Sequence, residues 1–168
     1  MLDTNALDHI CDHMLGRRIR KAVDNKHIHL SITHVQRDEI NCGPPANREY
    51  IYKLINDGYI KIVPTNGAIV GTDQPSKKGF IGSKVGMAHF TSDEEANLLQ
   101  NKMKVGSKSP MKNSADLLIL YTAIKQRMDL LVTDDQDIKR MLDSFKQDIT
   151  TGLQVIDKKA FDRMLPLT

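Results

Sequence analysis

Two apolar runs in the second half of the chain restrict its fold more than any other feature. The first, LLILYTAI over residues 117–124, puts Leu117, Leu118, Leu120, Tyr121 and Ile124 on more than one face of a helix, so that helix must be covered on more than one side. The second lies within residues 129–133, where Leu130, Leu131 and Val132 follow one another without polar alternation. An uninterrupted apolar strand is a strand buried on both faces, the signature of a parallel sheet with helices above and below it.

The rest of the chain repeats the alternation. Residues 1–3 read as the end of a strand. A helix follows Asp3, with Ala6, Leu7, Ile10, Cys11 and Met14 at helical spacing, and Gly16 interrupts it before the basic segment Arg17, Arg18, Arg20, Lys21. Residues 27–33 read as a strand, and Thr33 with Gln36 forms a capping box that starts a helix at His34 and puts Glu39 in its second turn. Gly43-Pro44-Pro45 ends that helix. Residues 46–57 are helical and residues 59–63 form a strand closed by Pro64. Residues 64–90 hold five glycines and read as a long loop or an irregular hairpin. Ser92 and Glu95 cap a further helix through Met103, residues 104–113 are polar loop, and Asp116 opens the apolar helix. A helix over 136–145, a strand over 153–156 and a helix over 158–165 complete the chain. The expected class is α/β, a three-layer α/β/α sandwich with a mainly parallel central sheet, and 168 residues suit one domain.

Composition narrows the function classes. Apolar residues make up 40% and charged residues 27%, as expected of a folded chain, and a net charge of +3 allows a nucleic-acid partner without the loading of an architectural binder. Cys11 and Cys42 are the only cysteines, too few for a zinc quartet or a disulfide framework, and read as free thiols of a reducing cytoplasm. No basic-then-apolar leader and no bilayer-length apolar run is present, so a cytoplasmic location without membrane contact is expected.

The acids carry the chemistry. In parallel sheets ligands collect beyond the carboxyl ends of the strands. Asp3 follows the first strand, Asp134 and Asp135 follow the strand ending at Thr133, Glu39 lies less than two helical turns past the second strand, and Asp116 falls in the first turn of the apolar helix, where the dipole favours an anion by about 0.3–1 kcal/mol. Carboxylates gathered in low dielectric need a cation. Oxygen-only ligation selects Mg²⁺ or Mn²⁺, whose retained waters suit phosphodiester hydrolysis.

The segments LDTN (2–5), RDEI (37–40), SADLLILYTAI (114–124) and LLVTDDQDIK (130–139) resemble the PIN-domain ribonucleases, especially the VapC-like toxins of toxin–antitoxin pairs, and the likeness spans the chain. The resemblance implies an acidic quartet of Asp3, Glu39, Asp116 and Asp135 that is both catalytic and metal-binding, with Asp134 and Asp137 as further candidates and Asp134 a rival to Asp135. It also implies that Asn5 and Thr133 orient these acids by hydrogen bonding. Relatives of this kind are Mg²⁺- or Mn²⁺-dependent endoribonucleases, commonly homodimers, and the toxins are held by a protein antitoxin. The stretch 64–90 is long for the toxin branch.

Other readings compete for single residues. Asp3 alone reads as a helix cap and Glu39 alone as a polar-face glutamate; only the joint arrangement favours a metal site. Arg17, Arg18, Lys77, Lys78 and Lys84 fit RNA phosphates and a solubilising surface equally well. His9 and His13, four apart, lack the Glu that follows the first His in the metalloprotease pattern and read as a solvated helix face. The stretch near Lys84 contains no P-loop, and Asn5 stands where an aspartyl phosphatase would need a second Asp. A non-catalytic RNA-binding or RNA-processing role is the alternative function.

Overall fold

The computed structural model describes residues 1–66, 88–89, 92–102, 105 and 110–166. The elements, in chain order, are α1 (Thr4–His9), α2 (His13–Asp24), β1 (Leu30–Thr33), α3 (His34–Ile40), α4 (Pro45–Asn56), β2 (Ile60–Val63) and β3 (Thr65–Asn66). They continue with β4 (Ala88–His89), α5 (Asp93–Lys102), α6 (Pro110–Lys125), β5 (Leu130–Val132), α7 (Gln136–Phe145), β6 (Gln154–Ile156) and α8 (Lys158–Met164). The fold is mixed α/β with short parallel strand pairs. It groups into two compact units: Met1–Val63, Leu130–Asp134 and Gln154–Thr168 in one, Pro64–Asp129 and Asp135–Leu153 in the other. None of the helices formed by the described residues is long and apolar enough to cross a membrane.

In the first unit β1 pairs in parallel with β2, Leu30 opposite Ile60 through Thr33 opposite Val63. The parallel pair β5 and β6 runs from Leu130 opposite Gln154 to Val132 opposite Ile156. The N-terminal residues join the two pairs. Leu2 N donates to Ser31 O, Asp3 N to Val132 O and Val132 N to Met1 O, each at 3.0 Å, with a parallel bridge between Leu2 and Val132. Leu2, Leu7, Ile10, Ile19, Ile32, Leu54, Ile60, Val132 and Phe161 form the core around this sheet. Because the pairings are parallel, the chain leaves each of these strands at one edge.

Gly16 does not interrupt a helix. The break falls earlier, at residues 10–12, where the Asp12 side chain accepts from Met14 N and Leu15 N and starts α2, which runs through Gly16. Glycine leaves room there for Tyr50: a Cβ would lie 1.9 Å from its hydroxyl oxygen, so the Tyr50 side chain would have to shift. Met14, expected on the apolar stripe, is 59% exposed, and His9 and His13 fall on separate helices. The capping box at Thr33 and Gln36 is present. Pro45 occupies the first turn of α4, where its missing N–H costs nothing. That helix ends in a Schellman motif, with Gly58 at φ +82°, Gly58 N donating to Ile55 O at 3.0 Å and Tyr59 N to Leu54 O at 2.8 Å.

In the second unit β3 and β4 pair in parallel, Thr65 opposite Ala88 and Asn66 opposite His89. A hairpin over 64–90 would pair its ends antiparallel, so that alternative is corrected at both ends. The Ser92–Glu95 capping box is formed in both directions, at 3.2 and 3.3 Å. Residues 117–124 are buried on every face of α6, and Tyr121 stacks on Phe145 of α7 with ring centroids 5.8 Å apart. Lys102, 7% exposed, donates to Ser144 O and Ser144 Oγ at 2.8 Å each and pairs with Asp148, tying α5 to α7.

Candidate functional site

Asp3 is the best-defined acid of the candidate quartet. Strand pairing with Val132 fixes its backbone, and its side chain, on a residue 5% exposed, accepts from Asn5 Nδ2 at 2.8 Å and from Thr133 Oγ1 at 2.7 Å. Both bonds converge on Oδ2. Asn5 Nδ2 also reaches Thr133 Oγ1 at 3.2 Å, and its Oδ1 accepts from Asp134 N at 3.4 Å. Burying a carboxylate is costly unless such donors meet it. Here they come from the first turn of α1 and the end of β5, so the sheet itself aligns them.

Glu39 stands exposed on the last turn of α3, and Thr4 Oγ1 donates to its Oε2. That bond ties the second candidate acid to the residue beside Asp3. A cleft of about 150 Å³ lies alongside, lined by Thr4, Leu7, Asp8, Glu39, Cys42 and Ile51 among others. At the end of β5, Asp134 Oδ2 pairs with Lys158 Nζ at 2.8 Å and Oδ1 accepts from Lys158 N at 3.2 Å. The Lys158 ammonium and backbone N–H hold the Asp134 carboxyl below the usual carboxylate range.

The remaining candidates belong to the second unit. Asp135 is the N-cap of α7, its side chain accepting from Asp137 N at 2.8 Å. Asp137 is buried and pairs with Arg140 at 2.9 Å. Asp116 is half-buried on α6. Its expected place in the first turn of that helix is corrected: α6 starts at Pro110, so Asp116 is the seventh residue. At about 1.5 Å per residue it lies roughly 9 Å beyond the helix start, past the reach of the dipole effect.

Of the basic candidates, Arg17 is exposed on α2. Arg18 is committed to the end of α8, donating from Nη2 to Asp162 O at 2.6 Å and Leu165 O at 2.8 Å and from Nε to Pro166 O at 3.0 Å. Lys77, Lys78 and Lys84 lie outside the described residues. His9 Nε2 is 3.0 Å from Asp162, so His9 is a partnered residue rather than a merely solvated one. Cys11 and Cys42 are both free, and burial, with the Asp8 charge, pushes the Cys11 thiol up to about 11.

Sequence reasoning missed Thr4 and Lys158. The strand-edge rule that selected Asp3 and Asp134 also selects Lys158, which follows β6 at the same kind of position. Carboxylate oxygens such as those of Asp3 and Glu39 are the ligand type a hard divalent ion takes, and the structure ties Glu39 to Thr4, the residue next to Asp3 in the chain. Among the described residues no group of three or more His, Cys, Asp or Glu side chains is arranged to hold a metal. Comparisons with family models, with curated proteins and with solved structures return no match.

Proposed function

We propose that the chain is a PIN-like, Mg²⁺- or Mn²⁺-dependent endoribonuclease built as an α/β/α sandwich. The observation that carries this reading is Asp3 at a parallel strand end with Asn5 and Thr133 converging on one carboxylate oxygen. Those residues stand in two of the sequence blocks that resemble the family. In this reading the roles come from the family resemblance: Asp3, Asp116 and Asp135 as acids that ligate the ion, and Glu39 as one that binds through water or holds a second ion. When bound, the ion supplies Lewis acidity to the phosphodiester and lowers the pKa of a coordinated water. Asn5 and Thr133 keep the Asp3 carboxylate in one orientation, and Thr4 does the same for Glu39. Exposed Arg17 contributes attraction for the RNA backbone. The protein acts in the cytoplasm as a homodimer, as the toxin of a toxin–antitoxin pair held by a protein antitoxin.

RNA cleavage by the wild type and by Asp116→Asn, with Mn²⁺ or Mg²⁺ and with chelator, tests the proposal. Cleavage that needs the ion and falls on the order of 10²-fold or more in the variant, with circular dichroism unchanged, is expected. Equal rates in the two proteins remove Asp116 from the mechanism. RNA binding without metal-dependent scission favours the non-catalytic module instead.

A further inference from the structure

Lys158 is gripped at both ends by one carboxylate. Its Nζ lies 2.8 Å from Asp134 Oδ2, and its backbone N donates to Asp134 Oδ1 at 3.2 Å. Asp134 is fixed in turn: its own N donates to Asn5 Oδ1 at 3.4 Å, and Asn5 Nδ2 donates to Asp3 Oδ2 at 2.8 Å. A continuous chain of hydrogen bonds therefore runs from Lys158 through Asp134 and Asn5 to Asp3, all within the first unit.

This ammonium differs from an ordinary surface lysine in two respects. Its rotamer freedom is already restricted, so ordering it on a ligand costs less. Its side chain also keeps 29% exposure, and an ammonium has three donors, of which the Asp134 contact takes one. Asp3, Glu39 and Asp134 follow strands of this unit, and an RNA strand brought to these acids meets like charge. A cation anchored on Asp134, joined through Asn5 to Asp3, offers the strand one defined point of attraction.

We propose that Lys158 contacts a phosphate of the RNA, and that Asp134 is its positioning residue rather than a ligand to the divalent ion. The proposal rests on the ribonuclease reading for its substrate class. It also resolves the choice between the adjacent acids: Asp135 takes the quartet position and Asp134 serves Lys158.

The test is binding of a fluorescein-labelled single-stranded RNA by the full chain in chelator, followed by anisotropy across a salt series. Lys158→Gln is expected to bind on the order of ten-fold more weakly and to reduce the slope of log affinity against log salt by about 0.7, the contribution of one phosphate on a single strand. Lys158→Arg should recover most of both. Asp134→Asn should alter binding in the wild type and much less in the Lys158→Gln background, since it acts through that side chain. The inference is overturned by wild-type affinity and slope in Lys158→Gln, by Lys158→Arg as weak as Lys158→Gln, by an Asp134→Asn effect equal in both backgrounds, or by a wild type that binds no RNA. A wild type that binds RNA but cuts none with Mn²⁺ sinks the nuclease reading alone, because every readout here is metal-free binding.

Discussion

A single oxygen atom decides what residue 16 can be. Replacing a helical glycine by alanine ordinarily stabilises by about 1 kcal/mol. Here the added methyl would sit 1.9 Å from the Tyr50 hydroxyl and 3.1 Å from its Cζ, and the Tyr50 hydroxyl is buried without a hydrogen-bond partner among the described residues. Overpacking costs about 1–3 kcal/mol, so Gly16→Ala is expected to lower stability despite its better propensity. Tyr50→Phe removes the clashing, unpartnered oxygen and should leave stability unchanged or raise it. Gly16→Ala made on top of Tyr50→Phe should then cost less than in the wild type. Urea midpoints of the four proteins of this double-mutant cycle measure the coupling, and additive effects would contradict the contact.

At the scale of elements, the helix ends follow one recipe three times. After α4 the left-handed position is Gly58; after α2 it is Lys26 at φ +58°, and after α6 Arg127 at φ +51°. The Schellman bonds are the same: His27 N to Ala22 O and Met128 N to Ala123 O, both at 2.9 Å. A side chain with a Cβ pays roughly 1–2 kcal/mol for that conformation, while glycine loses more chain entropy on folding. Lys26→Gly and Arg127→Gly are each expected to stabilise by about 0.5–1 kcal/mol, read as a raised thermal midpoint. A fall in either midpoint would mean that the lysine or arginine side chain makes a contact worth more than the strain. The two capping boxes were legible in the sequence because donor and acceptor lie three residues apart. The start of α6 was not: Lys112 and Asn113 read as loop, yet the helix begins at Pro110, where proline is well placed for a first turn.

For the whole molecule, acid sensitivity follows from a carboxylate in each unit. Lys125, then Tyr121, hold the Glu95 carboxyl below its ordinary range, as Lys158 does for Asp134. A carboxyl with a lowered folded pKa adds stability above its unfolded pKa, and that contribution is lost as pH falls through the usual carboxylate range towards the folded value. The thermal midpoint should therefore hold near neutrality and decline below about pH 4. Both side chains are partly exposed, at 26% and 45%, so solvent screening keeps the effect small. The Glu95→Gln, Asp134→Asn double variant is expected to melt no more than about 2–4 °C lower at pH 7 and to show a shallower acid decline. An unchanged acid slope would assign the pH dependence to other groups.

The sequence by itself determined what depends on near neighbours and on pattern: the α/β alternation, the strand at Leu130–Val132, of which Leu131 and Val132 are buried and Leu130 half-buried, both capping boxes, and a place for Asp3 and Asp134 just past strand ends. Hydrophobic period and turn chemistry act over a few residues, so they can be read without coordinates. Only the tertiary structure decided that α2 passes through Gly16, that Arg18 serves the carbonyls ending α8, and that Asp134 holds Lys158, 24 positions away. The last two are contacts between segments distant along the chain, and such contacts leave no periodicity in the sequence that forms them; the helix through Gly16 leaves the glycine facing Tyr50, another partner far along the chain.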